Sequence, residues 1–340
     1  MKGKKGDIMI NFDEKSMLEN GAYIYNQRAH MEAIADQVCE EGFDNIFFTS
    51  SGGSIAMMNP FVDIINEMSN LPVHSIISAD LLLTGHNQLR KNSIAFLASK
   101  SGDTKETMEA ARYLKERGVR MISVIGKEHS PLEEISDHSV IYKDGRPQEL
   151  IMYLLIGRIL YRKGFFPDYP KFADELKELP AVLVSVRKAA DEKAKKYAEM
   201  YYNEPYNIWV ASGNLWPVCY AYAMCVLEES QWIRTKSVSS PEFFHGTLEL
   251  VEKDVCATLL ITEGKTRPLD LRVKGFLEQY TDKFTYFDCA EYKYPGISDK
   301  FRWMLSPVVM NAVLQRISKN IEVVTNHSLD IRRYYRTVNY

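Results

Sequence analysis

Two hydroxyl-rich segments carry the clearest chemistry in this chain of 340 residues. "TSSGGSIAMMNP" (49–60) follows the apolar run "NIFF", "SKSGDTKET" (99–107) follows "SIAFLA", and each leads into a stretch of helical period. Where a strand gives way to a helix, free backbone N–H groups meet the positive end of the helix dipole. An anion such as phosphate is favoured there, and Ser and Thr hydroxyls add donors. Ser, Thr and Asp are also the common helix caps, so Asp103 or Ser101 could be capping and nothing more. Each turn alone reads more readily as a cap. The pair has more hydroxyls than capping needs and reads most economically as a phosphate cradle, because turns at the carboxyl ends of neighbouring parallel strands converge. A nucleotide is not indicated: G-x-x-x-x-G-K-[ST] is absent, "GKT" at 264–266 lacks the upstream glycine, and no G-x-G-x-x-G follows a strand.

Such turns need a sheet beneath them. Short β-branched and aromatic runs alternate with helical stretches, which is the pattern of parallel sheets flanked by helices, an α/β fold. The first half reads as strands 45–48, 73–77, 93–98, 121–126 and 139–142, with helices over 53–69 and 104–118. A further helix, "PQELIMYLLIGRILYRKG" (147–164), is apolar on most faces and should be buried or shared with a partner. Pro167 and Pro170 in "FFPDYPKFADELKELP" mark a boundary. The second half repeats the scheme, with a charged helix over 173–202, strands 207–212, 255–262 and 283–288, and helices over 216–233, 267–281 and 306–320. Its junction "ASGNLW" parallels "TSSGGS" and suggests a duplicated unit. The expected domains are 1–165, including a helical stretch at 13–40 ahead of the first strand, and 166–325, followed by a tail over 326–340.

Composition narrows the partners. Hydrophobic residues make up 46% and charged residues 26%, and a net charge of −3 gives no reason to expect nucleic acid. No signal-peptide core and no long uncharged apolar segment is present, so a cytoplasmic protein without membrane contact is expected. The cysteines Cys39, Cys219, Cys225, Cys256 and Cys289 form no C-x-x-C and read as buried thiols. The seven histidines show neither H-E-x-x-H nor H-x-H, so no metal site is expected.

"SKSGDT" resembles the S-x-S-G-x-T signature of the sugar isomerase (SIS) domain, and "SSGGS" its companion first turn. "EESQWIRTKSVSSPEFFHGTLELVE" resembles the segment that supplies a glutamate and a histidine in the isomerase half of glutamine:fructose-6-phosphate amidotransferase. Through "CVLEESQWI", "EFFHG" and "HSLDIRRYYRTVNY" the chain is most similar to the fructoselysine-6-phosphate deglycases and their fructosamine-phosphate deglycase relatives. The resemblance covers nearly the whole chain and implies two SIS domains, each a parallel sheet flanked by helices. It assigns substrate-phosphate binding to Ser54, Ser99, Ser101 and Thr104, with Lys100 adding a cation where the amidotransferase has glutamine. It makes Glu229 and His245, sixteen positions apart, the catalytic pair, with Glu228 as neighbour. In the family that histidine reaches the site of a second subunit, which implies a homodimer or larger assembly with shared sites. The chain also departs from the amidotransferase: no lysine follows Lys319, where "RRYYR" stands instead, and Val226 replaces a lysine one turn before the glutamate. No cysteine follows Met1, and there is no room for a glutaminase domain, so the amidotransferase reaction is not expected.

The resemblance implies cleavage of a 6-phosphorylated sugar–amine adduct to a sugar 6-phosphate and a free amine, without metal or organic cofactor. Reversing that rearrangement requires a base to move a proton between adjacent sugar carbons. A carboxylate at the end of an apolar helix suits the task, because desolvation raises its proton affinity. A solvated helix face remains the alternative for Glu229, and a structural role the alternative for His245. Arg332, Arg333 and Tyr334 either close the tail over the ligand or pair with surface carboxylates. Two rival functions are an aldose–ketose or amino-sugar phosphate isomerase and a catalytically silent sugar-phosphate sensor. The segment before the first strand holds no convincing helix-turn-helix, which weakens the second.

Overall fold

The computed structural model describes residues 9–143, 146–335, 337 and 338. Two helices, α1 (Glu14–Tyr25) and α2 (Arg28–Glu41), precede a first sheet unit. That unit comprises β1 (Asn45–Ser50), α3 (Gly52–Met58), α4 (Pro60–Met68), β2 (Val73–Ile77), α5 (Ser78–Thr84), β3 (Ser93–Ser99), α6 (Lys105–Glu116), β4 (Arg120–Ile125), α7 (Pro131–Ile135) and β5 (His138–Ile141). Three helices come next, α8 (Glu149–Arg162), α9 (Tyr169–Glu175) and α10 (Leu179–Tyr201). The second unit comprises β6 (Asn207–Ala211), α11 (Trp216–Tyr222), α12 (Glu229–Gln231), β7 (Thr235–Ser239), α13 (Ser240–Phe243), β8 (Cys256–Ile261), α14 (Arg267–Tyr280), β9 (Phe284–Asp288) and α15 (Asp299–Thr325).

Both sheets are parallel throughout. The first has five strands in the order β2-β1-β3-β4-β5 and the second four in the order β7-β6-β8-β9, so the second repeats the arrangement of the first four strands. β1, β3, β6 and β8 are buried along their whole length, as expected where helices cover both faces and the strand sequence is a continuous apolar run. The largest apolar cluster runs from Ile24 to Ile321 and joins the halves, with α10 packed along α15. Two smaller clusters cover the opposite face of each sheet, one around Phe47, Leu97 and Leu114 and one around Val210, Leu259 and Phe243.

Several elements differ from the sequence-based expectation. The helix expected over 53–69 is two helices, because Pro60 has no N–H to return to the carbonyl of Ala56 and opens a helix of its own. The long charged helix is split in the same way, with α10 carrying Pro180 in its first turn. The short helix α5 and the strand β7, "TKSVS", carry too weak a pattern to be read: β7 is polar and half-exposed on the sheet edge. The apolar helix α8 is covered within the chain by α2, α4 and α9, and Leu150 to Ile156 are at most 1% exposed, so it needs no partner. Tyr153 on α8 even satisfies its hydroxyl internally, donating to the carbonyl of Met304 at 2.7 Å. Among the described residues no helix is long and apolar enough to cross a membrane.

Candidate active site

The strand order puts β1 between β2 and β3, so the chain reverses direction across the sheet beside β1, and the turns after β1 and β3 face the resulting crevice. These are the two hydroxyl turns. Gly52 (φ +54°) and Gly102 (φ +70°) give each its left-handed residue. At Gly102 a Cβ would also fall 2.2 Å from Ser130 Oγ, so glycine is required twice over. The capping reading fails: neither Ser51, at the start of α3, nor Thr104, at the start of α6, makes a side-chain cap hydrogen bond. Ser51 Oγ donates instead to Glu106 Oε2 at 2.8 Å, and Thr104 Oγ1 lies 3.1 Å from Ser99 Oγ.

Above these turns lies a cleft of about 1500 Å³ lined by Ser54, Lys100, Ser101, Thr104 and Glu229. Ser99 does not line it. That side chain is 2% exposed, and its Oγ accepts from Gly102 N at 2.9 Å, so it braces the turn from below. Ser101 Oγ donates to Asp103 Oδ1. Asp103, Glu106 and Glu109 also line the cleft, so its wall is mixed in charge and an anion would depend on the turn N–H groups, the hydroxyls and Lys100.

Glu229 reaches the cleft from the other half of the chain. The helix expected over 216–233 is interrupted: α11 passes into a π-helical segment, Ala223–Glu228, before α12 begins at Glu229. The wider turn changes the register of the residues after it, and such insertions recur at functional sites. It leaves Glu228 exposed and bonded to the Thr235 hydroxyl, while Glu229 is half-buried on the cleft side. Arg332 Nε donates to Glu229 Oε1 at 2.8 Å. A guanidinium thus stands beside the carboxylate for which an apolar setting was expected.

The tail is tied down next to this carboxylate. The Arg333 guanidinium lies 3.9 Å from the Trp232 ring centroid, His327 packs 4.3 Å from the same ring, and Gln231 Nε2 donates to the His327 carbonyl at 3.2 Å. Tyr334 is 68% exposed, and Tyr335 rather than Tyr334 lines the cleft. His245 is exposed in the turn after α13 and does not line the cleft of its own chain. Sequence reading also missed Arg146, Gln148 and Leu83 in the cleft wall. None belongs to a motif, and only Tyr335 had a signal, its place in "RRYYR".

The matching junction of the second half is filled. Ser212 Oγ donates to the Thr266 carbonyl at 3.3 Å, and a Cβ on Gly213 would lie 2.4 Å from Thr266 Oγ1. Asn214 donates to the Trp303 carbonyl at 2.8 Å and accepts from Thr262 Oγ1 at 3.0 Å. The chain's own side chains occupy the place that the first unit leaves open.

Two repeated parallel sheets flanked by helices are consistent with a two-SIS-domain α/β fold, and residues 43–155, from the strand before the first hydroxyl turn into α8, match the SIS domain family. The chain is 29% identical over 317 residues to the fructosamine deglycase FrlB of Bacillus subtilis, covering 91% of this chain and 97% of that protein. It is 24% identical over 308 residues to the fructoselysine 6-phosphate deglycase of Escherichia coli K12, covering 90% and 89%. Among solved structures, a candidate phosphosugar isomerase from Bacillus subtilis superposes with a TM-score of 0.89 at 27% identity, covering 95% of this chain and 99% of that one. The C-terminal domain of glucosamine-fructose-6-phosphate aminotransferase from Francisella tularensis shares the fold, with a TM-score of 0.77 at 18% identity over 97% and 99%.

Proposed function

We propose that this chain is an enzyme that cleaves a 6-phosphorylated sugar–amine adduct into a sugar 6-phosphate and a free amine. The observation that carries the reading is the meeting, in one cleft, of the hydroxyl turns of the first half with the carboxylate of Glu229 from the second. The substrate phosphate would sit on the turns after β1 and β3. With the phosphate held there, Glu229 takes a proton from C1 of the open-chain 1-amino-2-ketose and a proton is returned at C2. The product is an imine, which water hydrolyses to the aldose 6-phosphate and the amine. Arg332 holds Oε1 of the carboxylate, while Oε2 makes no hydrogen bond among the described residues and is the oxygen open to the proton. The relatives named as fructosamine and fructoselysine 6-phosphate deglycases support this substrate class over a plain isomerase.

The test is an assay of the purified protein on 6-phosphorylated sugar–amine adducts, following free amine and sugar phosphate, beside the Glu229→Gln variant. Glutamine keeps the shape of the side chain but cannot accept a proton. Turnover should fall by roughly 10²–10⁴ while sugar-phosphate binding survives. Full activity in Glu229→Gln would remove the proposed base, and binding of sugar phosphates without any turnover in the parent would leave a sensor.

A further inference from the structure

The carboxylate proposed as the base is gripped by Arg332, and Arg332 belongs to the tail rather than to either sheet unit. What fixes the tail therefore fixes the base. The guanidinium is also folded back on its own turn: Nη1 donates to the carbonyl of Leu329 and, at 3.0 Å, to that of Ile331, while Nε reaches Glu229 Oε1. The path of the chain over 328–332 thus decides where the guanidinium stands.

That turn is tied to the body of the molecule on two sides. Trp232, which closes α12, sits in the left-handed region at φ +58°, a costly conformation for a residue with a Cβ. Its ring packs against both Arg333 and His327, so the tail is anchored where α12 ends. The second tie is Glu322, in the last turn of α15. Its Oε1 accepts from Leu329 N at 3.0 Å, and its Oε2 accepts from Lys319 Nζ at 3.0 Å and Asn11 Nδ2 at 3.5 Å. Burial would push this carboxyl up, yet the Leu329 N–H and Lys319 hold it below the usual carboxylate range, so the tail is held by an anion through a charge-assisted bond. Glu322 is half-buried and does not line the cleft. We infer that Glu322 is a positioning residue for the reaction: by holding the Leu329 N–H it seats Arg332 against Glu229 and so fixes the base over the substrate. The inference rests on the reading of Glu229 as the base. A base displaced by about 1 Å can lose on the order of 10²-fold in rate, which is enough for a residue outside the cleft to matter.

Steady-state kinetics on 6-phosphorylated sugar–amine adducts separate positioning from simple stability. In folded Glu322→Ala, assayed well below its melting temperature, kcat should fall at least ~10-fold while KM stays within about threefold, because the phosphate turns lie in the other half. Leu329→Pro removes the N–H from the tail without touching α15, so it should reproduce the loss even if Glu322→Ala fails to fold. In an Arg332→Ala background, Glu322→Ala should cost no more than about a further twofold, since it acts through the guanidinium. A parent-like kcat in folded Glu322→Ala or in Leu329→Pro, or losses that multiply in the double variant, overturn the assignment. If the parent itself turns over no adduct, the deglycase reading fails and the crystal structure of Leu329→Pro decides the tie. An Arg332 guanidinium moved off Glu229 supports it, and an unchanged Arg332–Glu229 pair overturns it.

Discussion

At the scale of single residues, the hydroxyls of the first turn pair divide into two kinds. Ser99 is committed to the turn, whereas Ser101 and Thr104 line the cleft. Ser101→Ala combined with Thr104→Ala should therefore remove two charge-assisted hydrogen bonds, each worth about 1.5–3 kcal/mol, and weaken sugar-phosphate affinity at least ~100-fold by calorimetry. Affinity within a few-fold of the parent would mean the cradle lies elsewhere. Asp270 offers a residue-scale test of the second half. It is fully buried, and burial pushes its carboxyl up from 3.8 to about 6, against hydrogen bonds from Ser240 Oγ at 2.6 Å and Thr262 N at 3.1 Å. Its folded-state value lies above the unfolded one, so its contribution to stability is full below pH 3.8 and is lost as pH rises through about 6. Relative to Asp270→Asn, the parent should lose about 2 kcal/mol of urea-unfolding stability between pH 4 and pH 7. A difference that does not change with pH would refute the shifted carboxyl.

At the scale of elements, the π-helical segment decides which of two adjacent glutamates enters the cleft. Consecutive helical side chains point about 100° apart, so a register change of one residue exchanges Glu229 for a neighbour. Deleting Met224 should convert the segment to ordinary α-helix, keep the helical circular dichroism, and cut kcat/KM by at least ~100-fold. Sugar-phosphate affinity should stay within a few-fold, since the phosphate turns belong to the other half. Loss of both properties together would mean that the segment serves folding rather than register. This element was not legible in the sequence. "WPVCYAYAMCVLEESQWI" has no glycine or internal proline to announce a defect, and the widened turn depends on packing that periodicity does not report. The breaks at Pro60 and Pro180 were open to reading, because a missing N–H is a local fact.

At the scale of the whole molecule, the question is what completes the site. With α8 buried inside its own chain, that helix does not call for assembly. His245 is exposed and outside the cleft of its own chain, and Leu83 is 87% exposed on the cleft rim. We propose a homodimer in which each cleft borrows His245 from the other subunit. Inactive Glu229→Gln and inactive His245→Ala proteins, mixed under subunit exchange, should then regain about a quarter of the parent activity, because half the dimers are mixed and each holds one intact site. No recovery, with exchange verified by mass, would exclude a shared site.

The sequence by itself determined the features that depend on neighbours along the chain. The fully buried parallel strands arise from unbroken apolar runs, the two hydroxyl turns from residues three to five apart, and the likeness of the two halves from their glycine junctions. Only the tertiary structure decided how those parts are used. Both halves carry a strand–glycine–helix junction, yet Thr266 and Trp303 fill the second and leave the first open, a difference made by residues more than fifty positions away. Arg332, a hundred and three positions after Glu229, sets an ion pair where an apolar setting was expected. Glu149 and Gln148 meet Asn311 and Leu314 only because α8 packs beside α15 around a shared space. Periodicity reports which face of an element is buried; the groups that lie against that face are decided by contacts between distant parts of the chain.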